Sequence, residues 1–164
     1  MYYLEVFSLL NKLAVRYLVA GGIAVVLHGV VRLTADLDLM IDLEKENLLK
    51  LMEALKILGY KPKLPVNPSD FADPKTRKEW IKKKNMKVFS FIHPKDEYKF
   101  IDIFVDEPIS FADAYKRRQV IEAKEIGINV LSLDDLIALK KSSGREQDLA
   151  DIKMLRELKK SHGK

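Results

Sequence analysis

The chain has 164 residues, 48% apolar and 32% charged, with a net charge of +5. That is the size and composition of one globular domain, expected here over residues 1–164. It has no cysteine, which excludes disulfides, thiolate metal sites and a thiol nucleophile. No apolar run approaches the roughly 20 residues of a membrane span, and residues 1–15 read as an amphipathic helix rather than a secretory leader. A cytoplasmic protein with no membrane contact is therefore the expectation.

Taken in chain order, Val6, Leu9, Leu10 and Leu13 recur at helical spacing, so residues 2–15 are expected to be a helix. Residues 17–20 form a short apolar run ending at Gly21-Gly22, a buried strand followed by a turn. A short helix is expected from Ile23 to His28, closed by Gly29. From Leu37 to Asp42 apolar and acidic residues alternate with a period of two, which specifies a strand. Residues 45–58 place Leu48, Leu51, Met52, Leu55 and Leu58 on one helical face, with Gly59 as the stop.

Pro62, Pro65 and Pro68 mark residues 60–73 as a loop. Asp73-Pro74 then supplies an N-cap and first helical position for a basic helix running to Lys84. Trp80 is expected to anchor that helix to the core. Residues 87–92 and 98–105 are strands of a hairpin turning through residues 93–96. A short helix follows at 110–117, then short strands at 119–124 and 128–131. Ser132 and Asp135 form a capping box for a helix through Lys141. A last helix occupies 145–160, and residues 161–164 are expected to fray. The whole is an α/β (α+β) chain with a mixed central sheet flanked by helices, residues 132–160 forming a C-terminal helical segment.

Charge is unevenly distributed. Residues 75–87 hold seven Lys or Arg and one Glu, whereas residues 36–46 hold five acids and one Lys. An acidic centre in a basic protein suits a cation site with basic surroundings for an anion. The basic run is either a solvated face or a track for a nucleic-acid backbone.

The acidic centre carries the chemistry. Asp36 and Asp38 are two apart on a predicted strand, so both point to one face. Like charges placed side by side there repel. A divalent cation removes that cost, and hard carboxylate oxygens suit magnesium, with substrate phosphates completing its shell. Asp-x-Asp alone is a short and common pattern. Upstream, Gly21-Gly22 lets the backbone approach an anion closely. Asp102 lies between Phe100-Ile101 and Ile103-Phe104, an acid in an apolar strand, and such a charge needs a partner or a metal. Phe100 and Phe104 share its face, which is therefore expected to be buried. Asp102 is the best third carboxylate for two-metal chemistry. His28 is expected to be a half-buried helix residue rather than a ligand, and Thr34 is either a turn residue or a site residue.

The stretch YLVAGGIAVVLHGVVRLTADLDLMID (residues 17–42) resembles the first motif of the DNA-polymerase-beta-like nucleotidyltransferases. The closer likeness is to the AbiEii-like branch of abortive-infection toxins, in which a His-Gly is followed by Arg-x-Thr-x-Asp-x-Asp. Here these are His28-Gly29 and Arg32, Thr34, Asp36, Asp38. Asp102 matches the third acid. LDDLIALKKSSGREQDLADIKML (residues 133–155) is similar to the late segment of that branch, with Lys140, Arg145 and Asp148 in the matching places and Asp151 one turn on.

The resemblance implies a minimal nucleotidyltransferase fold and transfer of a nucleoside monophosphate from a nucleoside triphosphate to an acceptor hydroxyl, tRNA or a protein among the candidates. Asp36, Asp38 and Asp102 would hold Mg²⁺, with Mn²⁺ as a substitute. Gly21, Gly22, Arg32, Thr34, Lys140, Arg145 and Asp148 would serve the nucleotide, Lys140 by neutralising phosphate charge. For Arg145 and Asp148 an i,i+3 helix-stabilising ion pair is an equal reading. The likeness also implies an antitoxin partner. The alternative is a non-catalytic nucleotide-binding or toxin–antitoxin module on the same scaffold.

Overall fold

The computed structural model describes residues 3–162. Short apolar runs become strands of one sheet and amphipathic segments become the helices that cover it. In chain order these are α1 (Leu4–Lys12), β1 (Tyr17–Ala20), α2 (Gly21–Leu27), β2 (Leu37–Ile41), α3 (Lys45–Ile57), β3 (Lys61–Pro62) and a 3₁₀ turn at Pro68–Ala72. There follow α4 (Pro74–Lys84), β4 (Val88–His93), β5 (Asp96–Phe104), α5 (Phe111–Lys116), β6 (Gln119–Ala123), β7 (Ile126–Val130), α6 (Leu133–Ser143) and α7 (Glu146–His162).

The seven strands run in the order β3-β4-β5-β2-β1-β7-β6. The β2–β5 and β1–β7 pairs are parallel and the others antiparallel, so the sheet is mixed. All four residues of β1 are buried, which is why that run is continuously apolar rather than alternating. On β2, β4 and β5 alternation divides the residues. Leu37, Leu39, Phe89, Phe91, Ile101 and Ile103 are all at most 1% exposed on one face. Asp38, Ser90 and Asp102 alternate with them and take the other. Trp80 of α4 stacks on Phe71 and meets Phe89, with ring centroids 6.3 and 5.1 Å away, so α4 covers the face opposite the acids.

Several boundaries differ from expectation. Helix α1 stops at Lys12 because Ala14 turns left-handed, with φ of 57°; Tyr2 lies outside the described residues. Gly21 and Gly22 are the first turn of α2, not a turn preceding it. Residues 60–73 are not wholly loop, since β3 adds to the sheet edge against β4 and the 3₁₀ turn packs Phe71 inward. The β6–β7 turn uses Lys124 and Glu125 at positive φ, without the Gly or Asn that usually marks such a turn. Helix α7 continues through residues 161 and 162, where fraying was expected; the remainder of that segment lies outside the described residues. The Asp73 side chain accepts from the Lys75 amide as expected; Ser132 Oγ accepts from the Asp135 amide, but the Asp135 carboxylate binds Arg117, so only half of the expected capping box forms.

One buried side chain joins α3 to the edge of the β1–β2 pair. Asn47, 2% exposed, accepts from the Arg16 amide at 2.8 Å and donates to the carbonyls of Arg16 and Asp42 at 3.1 and 2.8 Å. Asn47→Ala removes all three bonds; the Arg16 carbonyl keeps the Asp42 amide, but the Arg16 amide and the Asp42 carbonyl, both partly buried, lose the side chain that serves them. Each such group costs about 1–3 kcal/mol, so we expect a loss of about 3 kcal/mol. The check is a lower urea midpoint at unchanged slope; a midpoint within error of wild type would refute it.

Candidate active site

The parallel register of β2 and β5 sets Asp38 directly opposite Asp102, and the β4–β5 register sets Ser90 opposite Asp102 on its other side. Ser90 Oγ donates to Asp102 Oδ1 at 2.6 Å, which fixes one oxygen of that carboxylate. Asp36 stands one residue before β2 and is exposed. Burial pushes the Asp38 carboxyl up to about 7, with Asp102 and Asp36 adding repulsion that Lys140 and Arg145 only partly oppose. Burial and Asp102 also raise Asp36. Neither the Asp36 nor the Asp38 carboxylate has a hydrogen-bond or ion-pair partner among the described residues.

Phe100 and Phe104 are only half-buried, and the sealed face of β5 is that of Ile101 and Ile103. The expectation that Asp102 shares a buried face is therefore corrected. The isoleucines satisfy the core, which leaves the acid's face free to border a cavity.

The glycines are required by what crowds them. Gly21 has φ of +64°, and a Cβ built there would lie 2.0 Å from Asp38 Oδ2. A Cβ on Gly22 would lie 2.4 Å from Thr34 Oγ1 and 2.9 Å from an Arg32 guanidinium nitrogen. Only residues without a side chain let Asp38, Thr34 and Arg32 close onto the start of α2.

The cations are Lys140 of α6, Arg145 of the α6–α7 turn and Arg32 of the segment between α2 and β2. Lys140 Nζ pairs with Asp151 at 2.9 Å and Asp148 at 3.4 Å. Arg32 pairs with Asp151 at 2.7 Å and Arg145 with Asp148 at 2.9 Å. Burial pushes the Asp148 carboxyl up, but hydrogen bonds from Ser143 and Arg145 and the charges of Lys140 and Arg145 outweigh it and hold it at about 2. Lys140, Asp148 and Asp151 are at most 6% exposed. Two of the three ammonium donors of Lys140 are thus taken, leaving one for a ligand. The Arg145 side chain, 80% exposed, keeps most of its donors free. Three cations against two acids give this cluster one surplus positive charge, facing Asp36, Asp38 and Asp102.

A cavity of about 400 Å³ gathers these groups. Gly21, Gly22, Arg32, Thr34, Asp36 and Asp38 border it, as do Asp102, Lys140, Arg145 and Asp148. All ten residues singled out in the sequence therefore meet at one place. A second cavity of about 450 Å³ adjoins it, with apolar walls from Val88, Phe104, Pro108, Leu136 and Leu139. Of the basic run 75–87, only Lys87 borders either cavity. Among the described residues, no group of three or more His, Asp or Glu side chains is gathered so as to hold a metal ion as it stands. Asp38 and Asp102 face each other, while Asp36 is untethered.

Two structural residues carried no sequence signal. Tyr3, 1% exposed, directs its hydroxyl at the carbonyls of Ala35 and Phe100, 2.5 and 3.1 Å away, and accepts from the Phe100 amide. It thereby ties the segment that ends in Asp36 to the strand that carries Asp102. Ser90 is the other, recognisable only once the strand register is known. His28 is buried, and its Nε2 donates to the Leu131 carbonyl at 2.8 Å in the neutral form that burial favours. It is a packing residue, as expected.

An acid pair across parallel strands thus meets a glycine turn and, opposite, a cationic hairpin. Comparison with known proteins shows the family. Residues 4–158 match the family described as nucleotidyltransferase of unknown function (DUF6036), and the chain belongs to that family. No curated protein matches it in sequence.

Solved structures share the fold. The lincosamide antibiotic adenylyltransferase LnuA, lincomycin-bound, is 19% identical with a TM-score of 0.60, over 94% of this chain and 96% of that one. ANT(2")-Ia in complex with adenylyl-2"-tobramycin is 12% identical with a TM-score of 0.58, over 92% and 83%. A nucleotidyltransferase-like protein from Thermotoga maritima, TM1012, is 15% identical with a TM-score of 0.57, over 93% and 89%. Among the described residues no helix is long and apolar enough to cross a membrane.

Proposed function

We propose that this protein transfers a nucleoside monophosphate from a nucleoside triphosphate to an acceptor hydroxyl. The observation that carries the reading is Asp38 set against Asp102, with Asp36 beside them, none of the three paired with a cation. Lys140 and Arg145 offset them only in part, and their mutual repulsion is a cost that a cationic ligand relieves. The donor set is all hard oxygen, which fits Mg²⁺ or Mn²⁺, and Asp36, Asp38 and Asp102 are the residues that would hold it. When bound, such ions offset phosphate charge and lower the pKa of the acceptor hydroxyl.

Gly21 lets the start of α2 lie against Asp38, and Gly22 lets it lie against Thr34 and Arg32, so backbone amides there would stand beside the acids for phosphate oxygens. The free donor of Lys140 and the guanidinium of Arg145 face those oxygens, and Arg32 backs the glycine turn. Asp102, oriented by Ser90, takes the acceptor's proton. The acceptor oxygen bonds to the α-phosphorus, the bond from that phosphorus to the bridging oxygen breaks, and pyrophosphate leaves. Asp148 and Asp151 act through the cations, holding Lys140, Arg145 and Arg32 toward the cavity.

The acceptor is bounded by likeness alone. The AbiEii-like motifs favour tRNA or a protein, with an antitoxin as partner, and the antibiotic-bound relatives add small molecules to the set. The deciding experiment supplies each α-labelled nucleoside triphosphate with Mg²⁺ to total tRNA, a protein extract and a small-molecule fraction. Label should move to one of them, and EDTA should stop it. Nucleotide binding without transfer to any fraction would favour the non-catalytic binding module instead.

A further inference from the structure

The parallel ladder between β2 and β5 ends at the pair Leu37–Ile101. One step further it would set Asp36 level with Phe100 and hold that acid as Asp38 is held beside Asp102. That step is not taken, and Asp36 lies outside β2. The hydroxyl of Tyr3 stands there instead. It is 2.5 Å from the Ala35 carbonyl and 3.1 Å from that of Phe100, and the Phe100 amide donates to it at 3.3 Å. A hydroxyl has one proton to give, and the shorter contact takes it. Tyr3 thus donates to Ala35 and accepts from Phe100, bridging the two backbones where the ladder stops. We propose that Tyr3 is the positioning residue for Asp36 and, through it, sets the grip of the site on its divalent ion. This rests on the nucleotidyl-transfer reading and adds what fixes the least anchored of the three acids.

The assignment follows from how little else holds this stretch. Among the described residues, no amide of residues 31–36 donates to a backbone carbonyl. Their hydrogen-bonded ties are two, Arg32 to Asp151 and Ala35 to Tyr3. Arg32 is four residues from Asp36, whereas Ala35 adjoins it, so the Tyr3 bond decides where Asp36 leaves the sheet. Tyr3 is well suited to that task. Its ring is 1% exposed and packed in the core, which gives the hydroxyl a fixed seat. Burial lifts the hydroxyl to about 12, so the donor is present at every pH at which the acids are charged. Partners that orient a metal ligand from behind commonly account for about 10–100-fold in metal affinity.

The test separates positioning from general support of the fold. Mn²⁺, alone and as its complex with inorganic tripolyphosphate, would be titrated against the full chain by water-proton relaxation. Tyr3→Phe deletes the hydroxyl, keeps the ring, and should weaken the complex by about tenfold or more. Tyr17→Phe is the control: its hydroxyl is on an equally buried side chain but serves Asn11 and the Asn129 amide. It should stay within about twofold of wild type. In an Asp36→Asn background Tyr3→Phe should add less than about twofold, because its route to the ion is gone. Unchanged affinity in Tyr3→Phe would overturn the inference and leave the transfer reading standing. So would a loss that Tyr17→Phe matches, or one that persists in full beside Asp36→Asn, since either marks a loosened fold. A wild-type protein that binds neither form of Mn²⁺ would overturn the transfer reading and the inference together.

Discussion

Asp38→Asn should lower nucleotidyl transfer by at least about 10³-fold and, at the same time, raise the melting temperature of the metal-free protein above neutral pH. The two effects have one origin. Burial and the neighbouring acids lift the Asp38 carboxyl from 3.8 to about 7. A carboxyl whose folded value is raised binds its proton more tightly in the native state, so native stability falls as pH rises from about 4 to about 7 and the full penalty persists above. One pKa unit corresponds to about 1.4 kcal/mol, and after a discount for solvent access we expect the asparagine to recover about 1–3 kcal/mol at pH 8. For a domain of this length that is about 3–9 °C in Tm.

Thermal melts in EDTA between pH 5 and 8.5 test the claim directly. The wild-type Tm should decline up to about pH 7 and level off above it, and the variant's decline over that window should be shallower. A variant that melts lower than wild type at pH 8, or that still transfers label, would refute it. A site that is more stable when disabled is what a fold shows where it has kept charges for a ligand rather than for itself.

Gly21→Ala should be the second severe lesion, and it should differ in kind from Gly22→Ala. At Gly21 the backbone is left-handed, with φ of +64°, and the new methyl would meet Asp38 at Oδ2, Cγ and Cβ within 2.0–3.0 Å. The conformation costs about 1 kcal/mol for alanine. The clash is worse, because Asp38 is short, rooted in β2 and cannot swing aside without leaving its place opposite Asp102. A displacement of about 1 Å at a reacting centre is enough for about 10²-fold in rate.

At Gly22 no positive φ is involved, and the methyl meets Oγ1 and Cβ of Thr34 and the end of Arg32, both on the irregular segment between α2 and β2, which gives more readily than a central strand. We therefore expect Gly22→Ala to lose about tenfold, part of it restored by adding Thr34→Ala in a double-mutant cycle. Equal losses at the two glycines, or a Gly21→Ala enzyme near wild-type rate, would show that the turn is not what holds Asp38.

Much of this was readable in advance because periodicity reports which way a side chain faces. The alternation in β2 and β5 separates Asp38 and Asp102 from Leu37, Leu39, Ile101 and Ile103, and the structure keeps that division. Periodicity is silent on register. Nothing in the order of residues says that Asp38 lies level with Asp102, or that Ser90 lies level with both; that comes from pairing strands far apart in the chain.

Short elements escaped for a different reason. Two residues of β3 carry no pattern, and their pairing with β4 is decided at the sheet edge. The Lys124-Glu125 turn adopts left-handed angles that the strands on either side impose on it. Tyr3 was invisible because its hydroxyl serves two backbone carbonyls, and backbone acceptors look alike in every sequence. The reading of Lys140 as a counter-charge is sharpened as well. It stands at the cavity, but Asp148 and Asp151 hold it, and Arg145 is the less encumbered of the two cations.

The ion cluster has one further consequence. The acids reach the cavity from the sheet, whereas Lys140, Arg145, Asp148 and Asp151 all belong to the α6–α7 hairpin, joined to the sheet side by the Arg32–Asp151 pair. The sheet side carries the uncompensated acids and the hairpin side the surplus positive charge. Descendants of this chain can therefore retune affinity for phosphate by substitutions within one contiguous stretch of about 20 residues near the C-terminal end, leaving the acid-bearing strands untouched. Inheritance can treat the grip on the nucleotide and the chemistry performed on it as separate traits.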